Sequence, residues 1–150
     1  MQIQKTIREF VGDKQAPLIS GDAPVSEAIE LMKDKDSACV LIVEGSVLKG
    51  IFTERDFLAR VVGEGKEPDQ TTVASVMSED PRTLGLDACV TYAVNLMALG
   101  GYRNVPIVSD KGEAVAHLSI HDITSHLAQL VSELGESGER DEWTDLGGGD

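Results

Sequence analysis

The chain states one pattern twice. Residues 22–43 read DAPVSEAIELMKDKDSACVLIV and residues 87–108 read DACVTYAVNLMALGGYRNVPIV, a helical periodicity running into an apolar strand that recurs at an offset of 65. The match extends outward. TIREFV at 6–11 answers TVASVM at 72–77, and GIFTERD at 50–56 answers AHLSIHD at 116–122, both at an offset of 66 because the second hairpin carries one extra residue. A period this long is larger than the roughly 20–50-residue units of most solenoids. Two copies predict a single pseudo-twofold domain, with its binding site between the halves.

At 150 residues the chain has the size of one domain, large enough to bury roughly 70% of its unfolded surface, whereas each half alone would be marginal. Only 4% of residues are aromatic against 41% hydrophobic, which predicts a core built from Val, Leu, Ile and Ala. No apolar run long enough to span a bilayer and no basic-then-apolar N-terminus is present, so the expectation is neither a membrane segment nor a signal peptide, and a cytoplasmic location. A formal charge of −13 argues against nucleic-acid binding, which needs a basic face. That charge is uneven: residues 132–150 hold seven acids, Glu133, Glu136, Glu139, Asp141, Glu142, Asp145 and Asp150, against Arg140 alone. Cys39 falls in a predicted strand and Cys89 in the first turn of a predicted helix, with no CxxC spacing, and both read as buried thiols.

Along the chain, a short helix over 6–11 leads through a turn at Gly12 and Asp13 to a strand over 17–20. Val25, Ala28, Ile29, Leu31 and Met32 then fall at helical spacing. The run ACVLIV at 38–43 reads as a strand covered on both faces, and it enters a hairpin with residues 47–53. Thr53 caps a helix over 54–62 whose Phe57, Leu58 and Val61 face inward. The second copy repeats the order: helix 72–77, strand 82–84, helix 89–99 capped by Asp87, strands 105–108 and 114–119, and helix 120–134. The domain reading is a first repeat over 1–65, a linker over 66–71, a second repeat over 72–134, and an acidic Gly-rich disordered tail over 135–150. Trp143 in that tail is either an exposed residue or a docking anchor.

The candidate chemistry sits at the strand-to-helix junctions, which occur twice: Thr53, Glu54, Arg55 and Asp56, then Ser119, Ile120, His121 and Asp122. A hydroxyl at the N-cap with a carboxylate three residues on is also the capping-box spacing, a purely structural use. The functional alternative is a helix N-terminus offering N–H groups to a phosphate, with a carboxylate suited to a pair of ribose hydroxyls. Arg55 would reach a terminal phosphate or a neighbouring subunit, or form an exposed salt bridge. His117, His121 and His126 are not read as a metal site, because His117 lies on a strand and does not share a helical face with His121.

The ordered set of Asp22 with residues 25–32, ACVLIV, GIFTERD, VMS at 76–78, RNVPIV at 103–108 and AHLSIHD resembles the CBS-domain pair, the cystathionine-β-synthase-like regulatory or Bateman module, over residues 5–131. The resemblance implies an α/β (α+β) fold: tandem βαββα repeats packed through their sheets with pseudo-twofold symmetry. It implies up to two clefts for adenosine nucleotides. One would join Thr53, Arg55 and Asp56 to Ser78, Thr83, Arg103, Asn104 and Val105. The other would join Ser119, His121 and Asp122 to Leu18, Ser37, Ala38 and Cys39. Arg103 stands where the first copy has Ala38, and Thr83 where it has Leu18, so the first cleft is the expected stronger one. In the second motif Ala116 replaces Gly50 and His117 replaces Ile51, which would crowd that cleft.

No Walker loop, GxSxG or nucleophile–base pair competes with this reading, so the expectation is a regulatory module and not an enzyme. AMP, ADP, ATP, NAD and S-adenosylmethionine all present the adenosine it calls for. A homodimer built through helices 54–62 and 120–134, acting on a separate regulated protein, completes the expectation. The alternative is a structural dimerisation unit in which the motif hydroxyls and carboxylates only cap helices.

Overall fold

The apolar run near residue 40 forms the centre of the first sheet, as its burial on both faces requires. In the computed structural model, which describes residues 5–136, strand β2 (Cys39–Glu44) pairs in parallel with β1 (Leu18–Ser20) and antiparallel with β3 (Val47–Thr53). Cys39, Val40, Leu41 and Ile42 are all buried. Val40 lies opposite Phe52, and a register shift at Ile42 and Val43 bends the hairpin before its turn.

Helix α2 (Val25–Asp34) lays Val25, Ala28 and Met32 against that sheet, where they join Val40, Ile42 and Phe52 in one hydrophobic cluster. The helix ends at Asp36 in the left-handed region, with φ 48°. The matching position of the second copy, at an offset of 65, is Gly101 with φ 72°.

Each copy begins with a short helix that serves the other copy. Helix α1 (Ile7–Val11), capped by Thr6 and Glu9, hydrogen-bonds across to the second copy: Ile7 N–H to the Ala88 carbonyl at 2.9 Å and Arg8 N–H to Leu86 at 2.8 Å. Helix α4 (Val73–Val76) answers it, with Val73 N–H on the Ala23 carbonyl at 2.8 Å and Val25 N–H on Thr71 at 2.8 Å. The bridges Thr6 to Cys89 and Pro24 to Thr72 are therefore the same contact made twice.

The second sheet runs in the order β5 (Leu84–Gly85), β6 (Asn104–Val108), β7 (Ala114–Ser119), with Leu84 opposite Ile107. Helix α5 (Val90–Gly100) precedes β6 and buries Ala93 and Met97. The two hairpins meet where Leu48 N–H bonds the Gly112 carbonyl at 3.1 Å and Ala114 N–H bonds Ser46 at 2.9 Å. The chain divides between Leu118 and Ser119 into two compact units, the second holding α6 (Ile120–Glu136). Among the described residues no helix is long and apolar enough to cross a membrane. The disordered-tail and Trp143 expectations fall almost wholly outside the described residues.

Four local expectations are corrected. The helix predicted over 54–62 is α-helical only in α3 (Glu54–Asp56); Phe57–Val62 winds as a π-helix. The wider turn carries Leu58 outward to 64% exposure while Val61 stays fully buried, so the inward face predicted from a 3.6 period is shifted. Asp87 does not cap α5; Cys89 occupies the N-cap without a side-chain capping bond, and Asp87 pairs with Arg8 at 3.3 Å on the surface. A further strand, β4 (Ser78–Glu79), extends the first sheet beyond β3, with Ser78 opposite Ile51 and Glu79 opposite Gly50. Finally, Cys89 is half-buried rather than buried, and its thiol pKa is lowered by the Thr91 side chain first and the Thr91 backbone next, against a smaller opposing effect of desolvation.

Candidate functional site

Strand β3 stays extended through Thr53 (φ −116°, ψ 169°) and then turns sharply into α3. This throws the Asp56 side chain back over the strand end, where the residue is only 8% exposed. Thr53 N–H donates to Asp56 Oδ2 at 3.0 Å and Thr53 Oγ1 donates to the same oxygen at 3.2 Å. Asp56 N–H in turn donates to Thr53 Oγ1 at 3.2 Å, completing the capping box. A buried carboxylate is tolerable only with such partners.

The other carboxylate oxygen is served from the start of the second copy. Ser78 Oγ donates to Asp56 Oδ1 at 3.1 Å, and Arg60 Nε stands 3.7 Å from that oxygen. Arg60 also donates from Nη1 to the Met77 carbonyl at 2.6 Å, tying the guanidinium to the residue before Ser78. Thr53, Asp56 and Ser78 are thus brought together. Arg60 was missed, although its position four residues after Asp56 on a helical segment was a readable ion-pair signal.

The helix N-terminus is less available to a phosphate than its sequence implied. Glu54 N–H is already given to the Ala38 carbonyl at 3.1 Å, and Asp56 N–H to Thr53. Arg55 is exposed.

Of the remaining residues expected at the first cleft, Thr83 and Arg103 are exposed and Val105 is fully buried. Thr83 lines an open pocket of about 430 Å³ with Arg82, Tyr92, Asn95, Tyr102 and neighbouring apolar side chains. Asn104, at the start of β6, has a buried Oδ1 with no hydrogen-bond partner among the described residues. A buried acceptor left unfilled is costly in a finished core and usual where a further donor is to arrive.

The residues expected at the second cleft belong to separate compact units. In the first, Leu18 is 42% exposed, and the Ser37 hydroxyl donates to the Cys39 carbonyl at 2.8 Å. In the second, Ser119 N–H donates to Asp122 Oδ2 at 2.9 Å and Asp122 N–H donates to Ser119 Oγ at 3.1 Å, while His121 is exposed. This is the capping box of the first motif again. Among the described residues no group of three His, Cys, Asp or Glu side chains is placed to hold a metal ion.

The chain is 35% identical over 118 residues to the uncharacterized protein MK0525 of Methanopyrus kandleri, covering 76% of this chain and 60% of that protein. It is 33% identical over 121 residues to the CBS domain-containing protein CBSCBSPB2 of Arabidopsis thaliana, covering 81% of this chain and 22% of that protein. The chain therefore spans less than two thirds of the length of these relatives. Among solved structures it resembles the CBS domain protein NE2398 with TM-score 0.77 at 24% identity, covering 83% of this chain and 98% of that one. It also resembles PAE2072 from Pyrobaculum aerophilum, a CBS domain protein complexed with AMP, with TM-score 0.74 at 20% identity, covering 85% and 99% of the two chains. The CBS domain family model matches residues 7–63 and again 73–129, the two copies read from the sequence, and the chain belongs to the CBS-domain family as a tandem pair of repeats.

Proposed function

We propose that the chain is a regulatory module that binds an adenosine-containing nucleotide at the Asp56 cluster and passes the binding event to a partner protein through a change in packing. The observation that carries this reading is the convergence of Thr53 and Ser78 on the one nearly buried carboxylate, that of Asp56. A carboxylate in that setting accepts from the two hydroxyls of a ribose, and an adjoining hydroxyl and backbone donors complete the ring of bonds. Asn104 supplies an unfilled acceptor for a ligand N–H or O–H, and the exposed Arg103 beside it supplies charge for a phosphate. The structural neighbour PAE2072 complexed with AMP supports the choice of ligand class, which takes in AMP, ADP, ATP and NAD. The module is regulatory and not catalytic in this reading, and it works as a homodimer through its exposed apolar helix faces, such as Leu58 and Val62.

A second reading has its own support: both capping boxes are already complete without a ligand, as a purely structural dimerisation unit requires. Thermal unfolding with a panel of adenosine and guanosine nucleotides separates the two. A ligand at a hundred times its Kd adds about 2.7 kcal/mol to the folded state, which raises Tm by about 5–10 °C at this size. The regulatory reading expects that rise for an adenosine ligand and its loss in Asp56→Asn. No shift from any nucleotide at saturating concentration hands the protein to the structural reading.

A further inference from the structure

The oxygen of Asp56 that a ribose needs is already taken. Oδ2 accepts from Thr53 N–H and Thr53 Oγ1, both part of the same turn. Oδ1 accepts from Ser78, 22 residues away on β4, with Arg60 beside it. Arg60 also donates to the carbonyl of Met77, the residue that leads into β4. Gly50 lets the strand close: a methyl at that position would stand 2.8 Å from the Ser78 carbonyl oxygen. Backbone pairing to Gly50 and Ile51, a guanidinium clamp and a hydroxyl on the carboxylate therefore act together at one two-residue strand.

We propose that β4 is an internal ligand of Asp56, with the Ser78 hydroxyl occupying the place of a ribose hydroxyl, so that nucleotide binding lifts Ser78 off and loosens β4. The proposal rests on the nucleotide-binding reading above and adds how that site is regulated. It reverses the role that the family resemblance gave Ser78, from a residue that helps hold the ligand to one that competes with it. β4 is suited to carry the signal, because it belongs to the connector that leads directly from α4, the helix bonded to the start of α2. Two residues of pairing are a small barrier to release.

The test is calorimetric titration of AMP, ADP, ATP and NAD into the wild type, Ser78→Ala and Arg60→Gln, with hydrogen exchange read on peptides covering residues 76–81. Removing a competing charged hydrogen bond should tighten binding about tenfold in Ser78→Ala. Arg60→Gln should tighten it by a smaller factor. Ligand should speed exchange at 76–81 in the wild type, and Ser78→Ala should show faster exchange there without ligand. Binding by Ser78→Ala alone, with a silent wild type, is the strongest form of the same result. Equal or weaker binding by Ser78→Ala than by the wild type overturns the latch and leaves the nucleotide reading standing. Binding by neither protein takes down the nucleotide reading, and the latch with it.

Discussion

Replacing Gly50 with alanine asks whether β4 depends on a missing methyl. A Cβ at this position would stand 2.5 Å from Met77 Sδ and 2.8 Å from the Ser78 carbonyl oxygen. The thioether can swing aside, because methionine is unbranched and adaptable. The carbonyl moves only if the strand paired with Gly50 and Ile51 moves with it. Overpacking of this kind costs about 1–3 kcal/mol, and the reduced freedom of the unfolded chain returns about 0.4–1 kcal/mol. The balance is a loss of about 1–2 kcal/mol, which at this size lowers Tm by about 2–8 °C. Scanning calorimetry measures the fall, and hydrogen exchange over residues 76–81 should rise in the same variant because β4 is the element displaced. A Gly50→Ala protein that melts within about 1 °C of the wild type, with unchanged exchange at 76–81, would refute the close approach on which the latch is built.

Three further outcomes follow from separate parts of the structure. Phe52→Ala empties the largest fully buried side chain of the first sheet and should cost about 3–5 kcal/mol in urea unfolding; a loss below about 1.5 kcal/mol would mean the core collapses into the space. Asp36→Gly relieves a left-handed residue (φ 48°) and should raise stability by up to about 1 kcal/mol, whereas any loss would show that the aspartate side chain makes a compensating bond. Alkylation of the native protein should label Cys89 before the fully buried Cys39. Because its pKa is lowered, Cys89 forms thiolate at lower pH than an ordinary thiol, so its rate should rise at lower pH; Thr91→Val should move that midpoint upward, and an unmoved midpoint would remove Thr91 as the cause.

The sequence reported most where one residue type serves one environment. Four successive buried residues in β2 need cover on both faces, and the helical spacing of Val25, Ala28 and Met32 in α2 leaves only one face to bury. Both are local patterns, and both were readable. What was not readable depends on approach between segments distant in the chain. Nothing in Ser78 and Glu79 marks a strand, since their pairing exists only because Gly50 lets the connector come close. The π winding after Asp56 is equally hidden, because it shifts which of Leu58 and Val61 is buried without changing any residue's propensity. At the site, the spacing of Thr53 and Asp56 was visible, and Ser78 was placed there by resemblance. The bond that joins Ser78 to Asp56, and the clamp from Arg60, were found only in three dimensions.

The two copies diverge at the same few positions, and the divergence has one geometric root. Position 78 corresponds, at an offset of 66, to Gly12, while Gly50 corresponds to Ala116 and Arg60 to His126. The chain leaves α4 through Met77 in extended conformation (φ −72°, ψ 161°) and can run on as a strand. It leaves α1 through Gly12 with φ 55°, a conformation that a serine there would adopt only with strain. An exit of that kind does not continue as a strand beside β7, and among the described residues the second sheet accordingly has three strands where the first has four. With no strand to admit, the second motif has no need of a glycine, and Ala116 stands there buried. Ser119 and Asp122 keep the capping box of the first motif. The Ser78 bond and the Arg60 clamp reach Asp56 together with β4, so it is that strand, and not the capping box, that brings the start of the second repeat onto the first motif's carboxylate.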